Sequence, residues 1–214
     1  MRHTQIANPE GLVCGARPGF GLSEYGVEQA RRVGRYLGPR PVIAIWSSPL
    51  ERALRTAEEI AARVGVPVKV HDDLGEWSLF DRWAGHRWAE IPELFPGELE
   101  AYRDHPFDLP SAEESMAEVA ERIAGFARAI DEAHPHGDAI IVSHQDPIQA
   151  GRLRLLGSPL DTFSQGKPSP GTVITLRPGT SWREETVWSP EDTPRFGERP
   201  GLRAVETSGS PTSA

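Results

Sequence analysis

The residues best suited to chemistry in this sequence are a pair at its start, Arg2 and His3, and a second histidine far downstream, His144. A neutral imidazole is a nucleophile near pH 7, and a guanidinium presents five fixed donors that suit the oxygens of a phosphate. A phosphate monoester hydrolyses very slowly unaided, so its enzyme needs both a clamp for the anion and a good nucleophile. We hypothesise that Arg2, His3 and His144 form one site of this kind. One histidine alone is more often a core or surface residue, so the hypothesis requires a fold that brings these residues together.

Apolar periodicity predicts helices and strands that alternate along the chain. Ser23 can cap the first helix, and Ser48 with Glu51 forms a capping-box pattern ahead of the second. Pro49 would then occupy the first position of that second helix. The predicted helices span residues 23–37, 48–64, 114–132 and 146–156, and the predicted strands span residues 42–46, 66–70, 138–142 and 172–176.

This alternation favours an α/β fold, a three-layer sandwich with a mostly parallel central sheet and helices on both faces. Such sheets bind ligands at the carboxyl ends of their strands. Ser48 and His144 each stand where a predicted strand ends and a helix begins, and Arg52 lies one turn into the helix after Ser48. We therefore expect Arg52 and His144 at the same edge of the sheet, where helix N-termini also favour an anion.

The chain is predicted to form one domain over residues 1–188, with an insertion inside it and a tail behind it. Residues 77–110 combine poor periodicity with many aromatic side chains, which indicates an irregular insertion or lid that covers the site. Residues 189–214 are rich in Pro, Gly, Ser and Thr and lack apolar periodicity. We expect that segment to be a mostly disordered tail.

Composition limits the classes of function and partner. The formal net charge of −8 argues against non-specific binding to nucleic acid or to an anionic membrane, because both need clustered Lys and Arg. No apolar run approaches the length of a membrane span, and the N-terminus lacks the apolar core of a signal peptide, so we expect a cytoplasmic protein. Cys14 is the only cysteine, which excludes an internal disulfide and a multi-cysteine metal site. The sequence leaves the oligomeric state open, a homodimer included.

The motifs of the chain resemble those of the histidine phosphatase superfamily, whose members include the cofactor-dependent phosphoglycerate mutases and many small phosphomonoesterases. The resemblance runs from Arg2 to about Leu176, and its most specific part is the run that contains Arg52. The matching motifs, in chain order, are Arg2-His3, Leu22-Ser23-Glu24-Tyr25-Gly26-Val27-Glu28-Gln29-Ala30, Ser47-Ser48-Pro49-Leu50-Glu51-Arg52-Ala53 with Thr56-Ala57, Leu74-Gly75-Glu76, and Val142-Ser143-His144.

The resemblance implies a role for each matching residue. It implies that His3 is the nucleophile that becomes phosphorylated, and that Arg2 and Arg52 hold the phosphoryl group. It also implies that Glu76 is the general acid and base. His144 would be the second histidine of the site and would join the phosphate clamp when protonated. Because the arginines supply the positive charge, no metal or other cofactor is expected.

Several positions depart from the family pattern. Thr4 and Gln145 replace the glycines that follow the two histidines, and Glu113 replaces the glycine of the family's Gly-Glu-Ser. Thr4 would narrow the phosphate pocket or contribute a hydroxyl to it. Asn8 stands one residue early for the family's loop asparagine and is kept as a further phosphate-binding candidate.

The resemblance implies metal-independent hydrolysis of a small phosphorylated metabolite through a phosphohistidine. A phosphoglycerate mutase-type phosphoryl transfer is the first alternative, although mutases of this family carry Arg-His-Tyr-Gly soon after the Leu-x-Glu, where this chain has Trp77-Ser78-Leu79-Phe80. The second alternative is a non-catalytic phospho-ligand-binding domain of the same fold, suggested only by Thr4 and Gln145. The sequence does not name the substrate.

The start of the chain raises a separate expectation. An Arg-His pair at the edge of a parallel sheet should leave the end of a buried central strand, yet only Met1 precedes Arg2. Without that strand, neighbouring strands would keep unpaired backbone groups, each costing about 1–3 kcal/mol when buried. We therefore expect the native chain to carry several apolar, β-branched residues ahead of Met1.

Overall fold

The structure is a computed structural model that describes residues 1–109 and 112–192. It is an α/β fold with a parallel sheet and flanking helices, which confirms the predicted class. The α-helices are α1 (Glu24–Leu37), α2 (Glu51–Val64), α3 (Leu79–Arg82), α4 (Ile91–Leu94), α5 (Glu98–Asp104), α6 (Met116–Ala133) and α7 (Gln145–Leu156). The strands are β1 (Val42–Ser47), β2 (Val68–Val70), β3 (Asp138–Val142), β4 (Val173–Arg177) and β5 (Arg183–Trp188).

Within the described residues, the parallel sheet has the strand order β2–β1–β3. Ile45 of β1 is opposite Val68 of β2 on one side and Ile140 of β3 on the other. Successive side chains of a strand point to opposite faces of the sheet. Ile45 accordingly packs in a core cluster with α1 and α2, whereas its neighbour Trp46 packs against Phe126 of α6. Helices α1 and α2 therefore cover one face, and α6 covers the other with α7 packed beside it.

Helix α2 begins two residues after Pro49, the predicted first position. It starts at Glu51 with Leu50 as its N-cap, and no described side chain caps it. The Ser48 hydroxyl accepts from the Leu50 N–H and lies 2.8 Å from His144 Nε2, while the Glu51 carboxylate accepts from the Gly19 N–H. The predicted capping box is wrong because its two side chains bind other segments at the edge of the sheet.

The N-terminal residues lie beside β3 and connect it to β4. Arg2 forms a parallel bridge with Ser143, and the Ser143 N–H donates to the carbonyl of Met1. On its other side, the Arg2 N–H donates to the carbonyl of Thr172, directly before β4. A cavity of about 360 Å³ is lined by Met1 and by residues of β3, β4, α6 and α7. These backbone hydrogen bonds fix His3 at the same edge of the sheet as the end of β3.

Where it is described, the segment predicted as an irregular insertion contains three short α-helices separated by turns. Residues 77–109 contain α3, α4 and α5, which are four to seven residues long, and residue 110 lies outside the described residues. Helices this short do not produce a readable periodicity. Aromatic rings hold them together: Trp77, Phe80, Trp83 and Tyr102 have centroids 5.7–6.1 Å apart in the contacting pairs. These rings belong to a hydrophobic core that the insertion shares with α6 and α7.

The β4–β5 hairpin precedes the end of the described chain. The sequence did not predict β5, because its residues are mostly exposed and charged and show no apolar alternation. After β5, Pro190–Asp192 form a 3₁₀ turn in which the Glu191 carboxylate accepts from Tyr25 and Gln29 of α1. The rest of the predicted tail, residues 193–214, lies outside the described residues. Among the helices that are described, none is long and apolar enough to cross a membrane.

Candidate active site

The carboxyl ends of the parallel strands bring the sequence candidates together. His3 follows the N-terminal segment, His144 follows β3, and Ser48 follows β1. The His3 N–H donates to the carbonyl of Ser143 at 3.0 Å, and the centroids of the two imidazole rings lie 5.3 Å apart. Both histidines are buried, so their rings face each other away from bulk water.

His3 is held as a neutral ring with one nitrogen free to react. Its Nδ1 lies 2.8 Å from the carbonyl oxygen of Thr4. Since a carbonyl only accepts hydrogen bonds, Nδ1 carries the proton. Burial first, and then the guanidinium groups of Arg52 and Arg2, lower the pKa of His3 to about 3. At pH 7 the ring is therefore neutral, with its lone pair on Nε2.

The guanidinium groups of Arg2 and Arg52 supply positive charge beside His3. Arg52 is 4% exposed and donates from Nη2 to the carbonyl of Gly15 at 3.0 Å. Arg2 donates from Nη1 to the carbonyl of Pro168 at 3.0 Å, while its Nε is buried without a hydrogen-bond partner among the described residues. Buried polar atoms are nearly always hydrogen bonded, so an unpaired guanidinium donor favours a site for an anion.

Glu76 places a carboxylate beside these cations. One of its oxygens accepts from the Trp77 N–H, and the other lies 3.7 Å from Arg52 Nη2 and 3.6 Å from His144 Nδ1. Burial raises the pKa of Glu76 to about 7, although the charge of Arg52 acts in the opposite direction. Near neutral pH the group therefore exists in both protonation states, which is the condition for a general acid and base.

His144 is the most deeply buried member of the group. Its Nε2 lies 2.8 Å from the Ser48 hydroxyl, whereas its Nδ1 is buried without a hydrogen-bond partner in the described part of the chain. Burial, followed by the charges of Arg52 and His3, lowers the pKa of His144 well below its usual value. An anion bound among these groups would offset that repulsion and favour the protonated ring.

Thr4 and Asn8 are present near the site, but their polar groups have other partners. The Thr4 N–H and hydroxyl lie 3.1 and 3.2 Å from the hydroxyl of Thr56 in α2. The Asn8 amide donates to the carbonyl of Leu12 and accepts from the Leu12 N–H, which closes a loop. Phosphate binding by Thr4 and Asn8 stays a prediction, and these contacts favour a structural role for both.

Sequence reasoning missed a buried cluster that acts on the site electrostatically. Asp146 is 1% exposed, accepts from the Tyr102 hydroxyl at 3.0 Å, and has its other oxygen 2.9 Å from Lys167 Nζ. Burial is the largest cause of the raised pKa of Glu76, and the charge of Asp146 raises it further. Burial lowers the pKa of Arg2, and the charge of Asp146 opposes that change. The sequence assigns Asp146 only to a helix start and offers no motif for Tyr102 or Lys167.

The positions of the His, Cys, Asp and Glu side chains show whether they are arranged to bind a metal ion. Across residues 1–109 and 112–192, no three His, Cys, Asp or Glu side chains are arranged as ligands of one metal ion. The cationic groups described at the site are the arginines, and arginines can stabilise the equatorial oxygens of a phosphoryl group during its transfer.

Comparison with known proteins agrees with this geometry. The family model for the histidine phosphatase superfamily (branch 1) matches residues 1–188. Phosphoserine phosphatase 1 of Hydrogenobacter thermophilus is 32% identical over 143 residues, which cover 66% of this chain and 67% of that protein. Glucosyl-3-phosphoglycerate phosphatase of Mycolicibacterium vanbaalenii is 31% identical over 170 residues, 76% of this chain and 75% of that protein. A mycobacterial glucosyl-3-phosphoglycerate phosphatase complexed with VO3 superposes with a TM-score of 0.78 at 29% identity, over 88% of this chain and 96% of that one.

These matches extend over both halves of the site. The family model covers Arg2 and His3 at one end and His144 at the other, together with the strands that bring them together. The structural match covers most of both chains, so it concerns the whole fold and not a single motif. The chain therefore belongs to the histidine phosphatase superfamily, branch 1.

Proposed function

We propose that this protein hydrolyses phosphate monoesters of small metabolites through a phosphohistidine on His3. The observation that carries the proposal is the state of His3: its Nδ1 proton is bound to the Thr4 carbonyl, and its pKa is lowered to about 3. A neutral imidazole of this kind can attack phosphorus from Nε2 without first losing a proton.

Arg2 and Arg52 would hold the phosphoryl group during the attack. Negative charge spreads over the equatorial oxygens as the phosphoryl group transfers in line, and guanidinium groups can stabilise that charge with paired hydrogen bonds. The buried, unpaired Nε of Arg2 and Nδ1 of His144 support this assignment, because both would gain a partner when phosphate binds.

Glu76 would move the protons in both steps. In the first, Nε2 of His3 bonds to phosphorus as the ester P–O bond breaks, and Glu76 donates its proton to the departing oxygen. In the second, the Glu76 carboxylate takes a proton from water while the water oxygen attacks phosphorus and the N–P bond breaks. A pKa of about 7 supports both roles at neutral pH.

The relatives support a substrate class. One relative is a phosphoserine phosphatase and another is a glucosyl-3-phosphoglycerate phosphatase. Both of those substrates are small phosphate monoesters that also carry a carboxylate, and we place the substrate of this chain in the same class. We further infer that the reaction needs no metal or other cofactor and takes place in the cytoplasm.

The test is a phosphomonoester screen in EDTA with the wild type, His3→Ala and His136→Ala. His136 is an exposed residue outside the site, so it is a matched control for loss of an imidazole. We expect phosphate release by the wild type and by the His136 variant, and none by His3→Ala. An ester labelled in its phosphate group should leave an acid-labile label on the wild type and on the His136 variant, and none on His3→Ala. An acid-stable label, or full turnover in His3→Ala, would contradict the proposal.

A further inference from the structure

Arg122 of α6 is bound to the segment that carries Glu76. Its Nη1 donates to the carbonyls of Asp73 and Gly75, at 2.6 and 3.1 Å. Its Nη2 donates to the carbonyl of Glu76 itself at 3.3 Å. A single planar side chain therefore joins three backbone carbonyls of the segment that ends in the proposed general acid.

Glu114 fixes Arg122 and holds the same segment from its other side. The Glu114 carboxylate accepts from both Nε and Nη2 of Arg122, the second at 2.9 Å, in the fork geometry that guanidinium groups favour. The Glu114 carbonyl accepts from the Trp77 indole at 2.7 Å, and its N–H donates to the Ser78 hydroxyl at 3.2 Å. Arg122 and Glu114 thus bind the chain immediately before and immediately after Glu76.

The Glu76 carboxyl group depends on this backbone for its position. Its Oε1 accepts from the N–H of the adjacent residue, Trp77. Its Oε2 lies 3.7 Å from Arg52 and 3.6 Å from His144, which is longer than an ordinary hydrogen bond. The contacts of the carboxylate itself are therefore weak or local, and its place in the site is set by the peptide segment that Arg122 holds.

We propose that Arg122 is a positioning residue: together with Glu114 it holds residues 73–76 so that the Glu76 carboxyl reaches the leaving oxygen of the substrate. This inference rests on the proposed function, because it assumes that Glu76 donates a proton there. A catalytic group displaced by about 1 Å can lose on the order of 100-fold in rate. Arg122 lies in none of the motifs that the sequence analysis matched.

The experiment compares two substrates that differ in their need for an acid. An alkyl phosphate requires protonation of its leaving oxygen, whereas 2,4-dinitrophenyl phosphate releases a stable anion. The parameter is kcat/KM, which covers the steps up to phosphorylation of His3. Arg122→Gln removes the charge and the fork, and Arg122→Lys keeps the charge but not the planar geometry.

For both variants we expect kcat/KM to fall about 10- to 100-fold with the alkyl ester and less than about threefold with the dinitrophenyl ester. The control is Arg128→Gln. Arg128 lies on the same helix, is 41% exposed and pairs with Glu121, so its loss should change neither rate. Because Arg122 would act through Glu76, adding Arg122→Gln to Glu76→Gln should cause no further loss with the alkyl ester.

Equal losses on both esters in the Arg122 variants, or additive losses in the double variant, would overturn the positioning role. Those results would indicate a general effect on the fold, which a lowered urea midpoint would show independently. Failure of the proposed function looks different: the wild type would release no phosphate from either ester, or His3→Ala would retain its activity.

Discussion

The carboxylate of Glu76 lies 3.7 Å from the guanidinium of Arg52, yet its pKa is raised to about 7. A cation at that distance stabilises the ionised carboxylate, so the cost of burying the charge must outweigh the attraction. The side chain is 14% exposed, which agrees with a group largely removed from water. The site therefore contains an acid that can lose and regain its proton near neutral pH.

The first prediction follows from this pKa. For an alkyl phosphate, kcat/KM is calculated from the concentration of the substrate dianion and plotted against pH. It should fall above about pH 7, because Glu76 loses the proton it donates. Glu76→Gln should be slower by about 100-fold and should lack this descending limb, since an amide does not titrate. Initial rates of both proteins from about pH 5 to 9 provide the measurement. A limb of the same shape in the variant would assign it to another group.

The same shift predicts a change in stability. The folded pKa of Glu76 is about 7 against an ordinary value of 4.5, so the folded protein binds this proton more tightly than the unfolded chain. Stability is then lost as pH rises from the unfolded pKa through the folded one. Glu76→Gln should gain stability over the wild type across that window, by about 3 kcal/mol at most. Urea unfolding at about pH 5 and pH 8 tests this, and an unchanged difference between the two proteins would contradict it.

Arg52→Ala should lower kcat/KM by more than about 100-fold, because the paired hydrogen bonds of a buried guanidinium to phosphate cannot be replaced by Arg2 alone. Arg55→Ala is the matched control, since Arg55 lies on the same helix, is 57% exposed and pairs with Glu58. Steady-state kinetics of both variants decide the point. A loss of about tenfold or less, equivalent to about 1.4 kcal/mol, would make Arg52 peripheral to catalysis.

The sequence could predict the edge of the sheet at which His3 and His144 meet. Strand ends followed by helix starts are local patterns, and parallel topology places all such ends on one side. One motif residue, Gly26, has a physical cause in the packing of α1. A Cβ atom at Gly26 would overlap the carbonyl oxygen of Gln5, so the first turn of α1 can pack against the loop after His3 only with glycine there.

Other features depend on partners far away in the chain and leave no local pattern. Arg122 binds the carbonyls at residues 73–76 from more than forty positions away, and nothing in its own helix marks it. Ser48 and Glu51 satisfy the pattern of a capping box, but their side chains bind His144 and Gly19 instead. Tertiary contacts determine the hydrogen-bond partners of these side chains, and residue spacing alone could not predict them.

Thr4→Val tests whether the Thr4 hydroxyl serves the fold or the phosphate. Thr4 is fully buried and its hydroxyl lies 3.2 Å from that of Thr56. Valine keeps the shape but loses this hydrogen bond, so we expect a cost of about 1–3 kcal/mol in the free energy of unfolding. We expect kcat/KM to stay within about threefold of the wild type. A large fall in kcat/KM with little loss of stability would instead support a direct part in phosphate binding.

The last prediction is that the protein releases phosphate to water instead of shuttling it between hydroxyl groups. A mutase must hold the carboxylate of its substrate and keep water from the phosphoenzyme, and mutases of this family place Arg-His-Tyr-Gly after the Leu-x-Glu. Here Trp77 and Leu79 occupy that stretch and are fully buried in the core that the insertion shares with α6 and α7, so the arginine and histidine of the mutase motif are missing at these positions. Supplying 3-phosphoglycerate with a trace of 2,3-bisphosphoglycerate should therefore yield free phosphate, or no reaction, with little 2-phosphoglycerate, while a phosphoserine control reports that the enzyme is active. Efficient formation of 2-phosphoglycerate with little free phosphate would move the protein to the mutases, because the phosphohistidine would then be protected from water.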